Sequence, residues 1–147
     1  MTVLIDADGC PVTDIAIRLC MEFHIPCLIL CDTAHEFHRD GAQTLVFDKG
    51  ADSVDYAIAN RVRKNDLVIT QDYGLASMCL SRGCRVLHQD GWEYTCDNID
   101  ALLLVRHESR KHRAAGGRFK GLKKRSAQQD QAFESALRVL LQTSVQG

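Results

Sequence analysis

The sequence lacks any long hydrophobic run, and none approaches the roughly 20 residues that a membrane-spanning helix needs. We therefore expect a protein that does not cross a membrane. Met1 and Thr2 lead directly into an apolar strand pattern, so we expect no signal peptide and a cytoplasmic location. No internal repeat is present, and 147 residues are enough for one domain with one ordinary hydrophobic core.

Paired Cys-x-x-Cys spacing is also absent, and no histidine follows a cysteine at the distance typical of a zinc finger. The cysteines are odd in number and lie mainly in apolar stretches. We expect reduced thiols that pack as small hydrophobic residues, rather than a disulfide framework or a zinc site. They are Cys10, Cys20, Cys27, Cys31, Cys79, Cys84 and Cys96.

The formal net charge is only −1, but the charges are unevenly distributed. Residues 1–105 carry a net charge of −8, whereas residues 106–125 carry 9 basic residues against 1 acidic residue. An acidic body and a basic segment could attract each other. Alternatively, the basic segment could bind a polyanion that the acidic body then processes.

Apolar runs alternate with patterns typical of helices over the first 105 residues. We predict strands at 2–6, 27–31, 43–47, 67–70 and 84–87, a short edge strand within 91–94, and helices at 11–23, 52–62, 74–81 and 95–105. Alternating strands and helices predict right-handed βαβ units in a mainly parallel sheet. The fold is therefore predicted to be a single three-layer α/β/α domain.

The chain changes character after residue 105. Residues 106–125 have the composition of a flexible basic loop. Residues 126–129 form a predicted capping box for a last helix within 126–147. The apolar stripe of that helix is long enough to pack on the body, 1–105, or on a second copy in a homodimer.

Carboxylates follow the first and fourth predicted strands and begin the helix between the third and fourth. In the strand order 3-2-1-4-5, strands one and four lie side by side at the point where ligands bind in open α/β sheets. Carboxylates brought together there repel one another unless a cation or a proton compensates them. Oxygen ligands of this kind suit Mg²⁺ or Mn²⁺. The residues predicted to bind metal are Asp6, Asp8, Asp52, Asp55 and Asp72.

Three motifs resemble those of the YaiI/YqxD family of uncharacterised bacterial proteins: residues 6–12 (DADGCPV), 50–58 (GADSVDYAI) and 66–76 (DLVITQDYGLA). The resemblance continues through Gly116 and Gly117 into the last helix. It therefore covers nearly the whole chain, and the three motifs occur in the family's order.

That family is similar to PIN domains, which are metal-dependent ribonucleases with a five-stranded sheet of order 3-2-1-4-5. In a PIN domain, one acid ends the first strand, another begins a helix, and a Ser/Thr-x-Asp motif closes the fourth strand. Asp6, Asp52 or Asp55, and residues 70–72 match these positions. The resemblance implies a metal-binding, PIN-like domain.

These observations predict a divalent-metal-dependent nuclease that acts on RNA. Asp6 and Asp72 would bind the metal ion directly, and Asp8 would help to complete the site. Thr70 would orient Asp72 or the attacking water, so we predict catalytic roles for Asp6, Asp8, Thr70 and Asp72. The basic segment would contact RNA phosphates. Its predicted nucleic-acid-binding residues are Arg106, Arg110, Lys111, Arg113, Arg118, Lys120, Lys123, Lys124 and Arg125.

Two alternatives remain open at this point. A non-catalytic RNA- or metal-binding regulatory protein could carry the same acidic residues as a structural metal site. A phosphatase similar to the haloacid dehalogenases could use Asp6 as the nucleophile and Asp8 as the acid/base. Those phosphatases insert a flap after the first strand, whereas Pro11 here predicts an immediate helix.

Overall fold

A computed structural model describes residues 1–50, 53–102, 104 and 124–146 of the chain. The strands are β1 (Val3–Asp6), β2 (Cys27–Asp32), β3 (Gln43–Phe47), β4 (Leu67–Ile69), β5 (Arg85–Leu87) and β6 (Glu93–Tyr94). The helices are α1 (Thr13–Glu22), α2 (Ser53–Arg61), α3 (Tyr73–Ser81), α4 (96–102) and α5 (Ala127–Gln146). Among the described helices, none combines the length and apolarity required to cross a bilayer.

All the strands belong to one sheet of order β3-β2-β1-β4-β5-β6. Neighbouring strands are parallel except for β5 and β6, which are antiparallel. At the centre, Ile5 of β1 is in register with Ile29 of β2 and Ile69 of β4. The predicted order 3-2-1-4-5 is confirmed, and the predicted edge strand extends the sheet to six strands.

The central strands are apolar along their whole length because helices cover both faces of the sheet. Side chains alternate between the two faces, so Ile5 packs with α1 and α5 while Leu4 packs with α2 and α3. Both side chains are buried. The predicted three-layer α/β/α architecture is confirmed.

Helix α1 begins two residues later than predicted. The Cys10 N–H donates to the Ala7 carbonyl (3.1 Å), which closes a turn that contains Gly9 at φ +67°. The residues up to Pro11 therefore connect β1 to the helix and are not part of it. The helix therefore starts at Thr13, after an N-cap at Val12 that makes no side-chain hydrogen bond.

Helix α5 docks on the body of the same chain. Ser126 and Gln129 form the predicted capping box, in which the Gln129 side chain accepts from Ser126 N–H (2.8 Å) and Ser126 Oγ accepts from Gln129 N–H (3.3 Å). Phe133 and Leu137 are fully buried between the sheet and α1. The apolar stripe of α5 therefore packs on the body of the chain.

All seven cysteines are free thiols. Five are buried, Cys10 is half-buried and Cys96 is exposed. The prediction of small buried hydrophobic residues thus describes most of them, and Cys96 differs because it lies at the start of the short helix α4.

Candidate functional site

The carboxyl ends of β1, β2 and β4 border a cleft of about 530 Å³. Asp6 ends β1 and Asp32 ends β2, whereas Asp72 follows β4 by three residues. Asp55 reaches the same cleft from the first turn of α2. The lining residues are Asp6, Asp8, Asp32, Gly50, Ser53, Val54, Asp55, Gln71, Asp72 and Tyr73. The structure therefore brings Asp6, Asp8, Asp55 and Asp72 together, as predicted.

Thr70 links two of these aspartates. Its buried hydroxyl donates to Asp6 Oδ2 (2.8 Å) and accepts from the backbone N–H of Asp72 (3.0 Å). We predicted that Thr70 would orient Asp72 or a water. In the structure, the Thr70 hydroxyl is in hydrogen-bond contact with both Asp6 and the main chain of Asp72.

Asp72 also begins helix α3. Its Oδ1 accepts a hydrogen bond from Leu75 N–H (3.1 Å), the geometry of an N-cap residue. This bond fixes the direction of the carboxylate relative to the end of β4. Asp72 therefore combines a structural role at the helix with its place in the cleft.

Asp6 is a strongly perturbed acid of the cleft. Burial raises the pKa of its carboxyl from 3.8 to about 7, opposed by the Thr70 hydrogen bond and reinforced by the negative charges of Asp55, Asp8 and Asp72. The fold thus places a carboxyl where its ionised form is disfavoured. A positive charge in the cleft would relieve that cost.

Asp8, Asp32 and His35 form a second part of the cleft wall. One ligand atom from each residue lies within 4.8 Å of the others. His35 Nδ1 is 2.9 Å from Asp32 Oδ1 and 3.6 Å from Asp8 Oδ1. Burial and the charge of Asp32 raise the pKa of Asp8, although His35 opposes that shift. The imidazole occupies the place where a cation would be electrostatically favoured.

One oxygen in this group has no hydrogen-bond partner. Asp8 Oδ1 is buried and accepts no hydrogen bond from any residue that the structure describes. A buried carboxylate oxygen in that condition is costly and fits a cation ligand. Together with the other carboxylates of the cleft, it forms a set of oxygen donors, the ligand type that hard divalent ions prefer.

Several predicted site residues lie outside the described residues. These are Asp52, Arg106, Arg110, Lys111, Arg113, Arg118, Lys120 and Lys123. Lys124 is described and exposed. Arg125 is largely buried within the protein itself, where its guanidinium contacts Asp90 (2.7 Å), Asp130 (2.6 Å) and the Gln89 carbonyl (2.6 Å).

The sequence reasoning missed Asp32, His35 and Tyr73. Asp32 carried the signal used for Asp6, since it is an acid directly after an apolar run, but the predicted strand 27–31 stopped one residue before it. His35 gave no signal because its side chain is 61% exposed, and its approach to the carboxylates of Asp8 and Asp32 is visible only in the structure. Tyr73 gave no separate signal because it directly follows the acid of the third motif.

Comparisons with known proteins agree with the motifs. The sequence matches the family model described as "Uncharacterized BCR, YaiI/YqxD family" over residues 4–143. A UPF0178 protein of Exiguobacterium sibiricum is 48% identical over 141 residues, which cover 96% of each chain. Another, from Ruminiclostridium cellulolyticum, is 43% identical over 147 residues, or 100% of this chain and 96% of the relative. The fold, the three motifs and these full-length matches together establish that the chain belongs to the YaiI/YqxD family.

Proposed function

We propose that this protein is a divalent-metal-dependent hydrolase of RNA phosphodiesters with a PIN-like active site. The observation that carries the proposal is the convergence of five aspartates on one cleft at the carboxyl edge of a parallel sheet. They are Asp6, Asp8, Asp32, Asp55 and Asp72. Such a concentration of negative charge repels a polyanion unless a cation bridges the two.

The ligands of the proposed ion, Mg²⁺ or Mn²⁺, are Asp6 and Asp72, with Asp8 and Asp55 completing the site. Asp52 stays a predicted member of the set. Asp32 and His35 extend it on the side of β2, where the unpartnered Asp8 Oδ1 lies. When bound, the ion would neutralise charge on the phosphate and activate water for in-line attack.

The protein's own groups prepare the site for that ion. Thr70 holds the Asp6 carboxylate by its hydroxyl, and the helix cap holds Asp72. With a pKa of about 7, the Asp6 carboxyl is about half protonated at neutral pH, and a bound cation would favour its ionised form. Substrate affinity would come from basic residues of the segment 106–125, of which Lys124 is exposed.

The test is incubation of the protein with end-labelled single-stranded RNA and Mn²⁺. We expect cleavage that EDTA abolishes and that Asp6→Asn lowers by at least about 100-fold, in line with loss of a group essential to the transition state. Asp100→Asn is the matched control because Asp100 is an exposed aspartate on α4 that does not line the cleft. Cleavage that persists in Asp6→Asn would contradict the proposal.

The same assay separates the two alternatives. RNA binding without cleavage would indicate the regulatory protein, and hydrolysis of small phosphomonoesters in place of RNA would indicate the phosphatase.

A further inference from the structure

Tyr73 places one aromatic ring in the wall of an otherwise acidic cleft. It is the first residue of α3 and follows Asp72 directly, so its position is coupled to that of a proposed metal ligand. The side chain is half-buried and lines the cleft together with Asp6, Asp55 and Asp72. The ring is therefore available to a molecule bound beside the carboxylates.

The ring is supported from behind by other aromatic side chains. Tyr73 makes an edge-to-face contact with Tyr94, with ring centroids 5.9 Å apart and planes at 66°. Tyr94 is fully buried and packs against Trp92 at 4.6 Å, and Trp92 stacks on His88 at 4.3 Å. Each of these contacts restricts the next ring. Tyr73 is thus a pre-organised surface rather than a freely rotating side chain.

An anionic cleft with a fixed aromatic wall needs two kinds of complementary chemistry in its ligand. The carboxylates recognise positive charge, or a phosphate through a bound cation, but they offer no surface for a flat apolar group. A flat aromatic ring attracts another flat π-system, and every nucleobase has one. The combination fits a nucleotide whose phosphate lies at the acids and whose base lies on the ring.

Resting on the proposed function, we propose that Tyr73 is a base-stacking residue that selects single-stranded nucleic acid next to the scissile phosphate. A base within a duplex is already stacked between its neighbours and cannot reach the ring without being unpaired. Stacking also depends little on base identity, because each base presents a π-face. The selected substrate is therefore an unpaired strand of broadly variable sequence.

The experiment measures the affinity of a labelled oligouridine by fluorescence anisotropy, with Ca²⁺ replacing Mn²⁺ and with RNA integrity checked on a gel. Tyr73→Leu removes the ring and Tyr73→Phe keeps it. We expect Tyr73→Leu to weaken binding by about 5- to 150-fold and Tyr73→Phe by less than about 3-fold. Tyr56→Leu, which changes an exposed tyrosine on α2 that does not line the cleft, should bind like the wild type.

A second substrate isolates stacking from any general disturbance of the site. For an oligonucleotide of the same length with abasic riboses, wild type and Tyr73→Leu should bind with equal affinity. The proposal is overturned if Tyr73→Leu binds the intact strand like wild type, or if it loses both substrates to the same extent.

The stacking role and the hydrolase proposal fail in different ways. If binding follows the predicted pattern but Mn²⁺ supports no cleavage, the hydrolase is contradicted and the base-stacking site stands. The stacking role is overturned and the hydrolase stands under the following result. Mn²⁺-dependent cleavage of abasic and duplex substrates, and cleavage by Tyr73→Leu, are all as efficient as wild-type cleavage of the intact single strand.

Discussion

The hydroxyl of Thr70 donates a 2.8 Å hydrogen bond to the carboxylate of Asp6, joining the ends of two neighbouring parallel strands. The two residues are 64 positions apart in the chain. The bond opposes the effect of burial on the pKa of Asp6 and so favours the ionised form. Among the described residues, the charges that act most strongly on Asp6 are those of Asp55, Asp8 and Asp72, and the Thr70 hydroxyl partly offsets their effect.

Replacing Thr70 by valine should therefore destabilise the metal-free protein. A hydrogen bond to a charged group contributes about 1.5–3 kcal/mol, and the valine leaves both Asp6 and the Asp72 N–H without this partner. Thr13→Val is the matched control, because Thr13 is similarly buried but donates only a 3.4 Å bond to a backbone carbonyl. Urea unfolding at pH 8 with EDTA would measure both free energies. Equal decreases in the free energy of unfolding of Thr70→Val and Thr13→Val would contradict the stabilising role of the Thr70 hydroxyl.

The raised pKa of Asp6 predicts a stability that falls as pH rises. From the ordinary value of 3.8 up to about 7, the folded protein holds a proton that the unfolded chain has lost. The free energy of unfolding should then decline by up to about 1.4 kcal/mol per pH unit and level off above pH 7. Asp6→Asn lacks this titration. In EDTA, the free energy of unfolding of Asp6→Asn relative to that of wild type should increase from pH 5 to 7. If the two proteins lose stability in parallel as pH rises, the raised pKa of Asp6 is refuted.

His35 predicts a preference among cations. Imidazole nitrogen suits later transition metals, whereas Mg²⁺ prefers oxygen ligands. His35→Ala should weaken Co²⁺ binding by about 10-fold or more, a typical loss for a ligand, while leaving Mg²⁺ affinity nearly unchanged. Isothermal titration calorimetry would measure both. His38→Ala, whose imidazole pairs only with Glu36 among the described residues, should behave like wild type, and an equal effect of both variants would count against His35.

Lys124 and Arg125 are adjacent, yet they should respond differently. Arg125 is 18% exposed and bridges Asp90 and Asp130, so Arg125→Ala should lower the free energy of unfolding by about 1–2 kcal/mol. Lys124→Ala should change stability by less than about 0.5 kcal/mol. If the protein binds RNA, Lys124→Ala should reduce the magnitude of the slope of log K, where K is the RNA association constant, against log salt concentration by about one. If Arg125→Ala remains folded and weakens RNA binding more than Lys124→Ala does, the result would support Arg125 as a phosphate contact.

Gly91 should tolerate no side chain. It has φ +91°, and a Cβ there would lie 2.6 Å from the carbonyl carbon and oxygen of Ala132 on α5. Gly91→Ala should cost more than about 3 kcal/mol, from strain plus displacement of the helix. Gly9 also has a positive φ, but a Cβ there would be near only Gln71 Nε2, at 3.5 Å. Gly9→Ala should therefore lower the free energy of unfolding by about 1–2 kcal/mol. Thermal unfolding of the two variants checks this order.

The sequence was sufficient for the features that depend on local patterns. The apolar run before Asp6 predicted a buried strand that ends in an acid, and the Ser126–Gln129 spacing predicted the start of α5. The strand order followed from the alternation of elements together with the resemblance to known domains. Consequently, the meeting of Asp6 and Asp72 was predictable without coordinates.

Other features depend on contacts that no local pattern encodes. Asp32 looked like the first residue of a loop, and only its pairing with Phe47 in the sheet shows that β2 extends to it. His35 lies in an irregular loop, so its approach to Asp8 is set by tertiary packing. Arg125 was grouped with its basic neighbours, whereas its partner Asp90 is 35 residues away. Composition alone could not distinguish an internal anchor from a surface charge.

The position of β1 has a consequence for synthesis of the protein. This strand precedes β2 and β4 in the chain but lies between them at the centre of the sheet. Until residues 67–69 emerge, one side of β1 has unpaired backbone groups next to the apolar side chains of Leu4 and Ile5. Nascent chains from which residues 67–69 have not yet emerged therefore expose an unpaired strand edge, and translational pausing before that point should promote aggregation or chaperone capture.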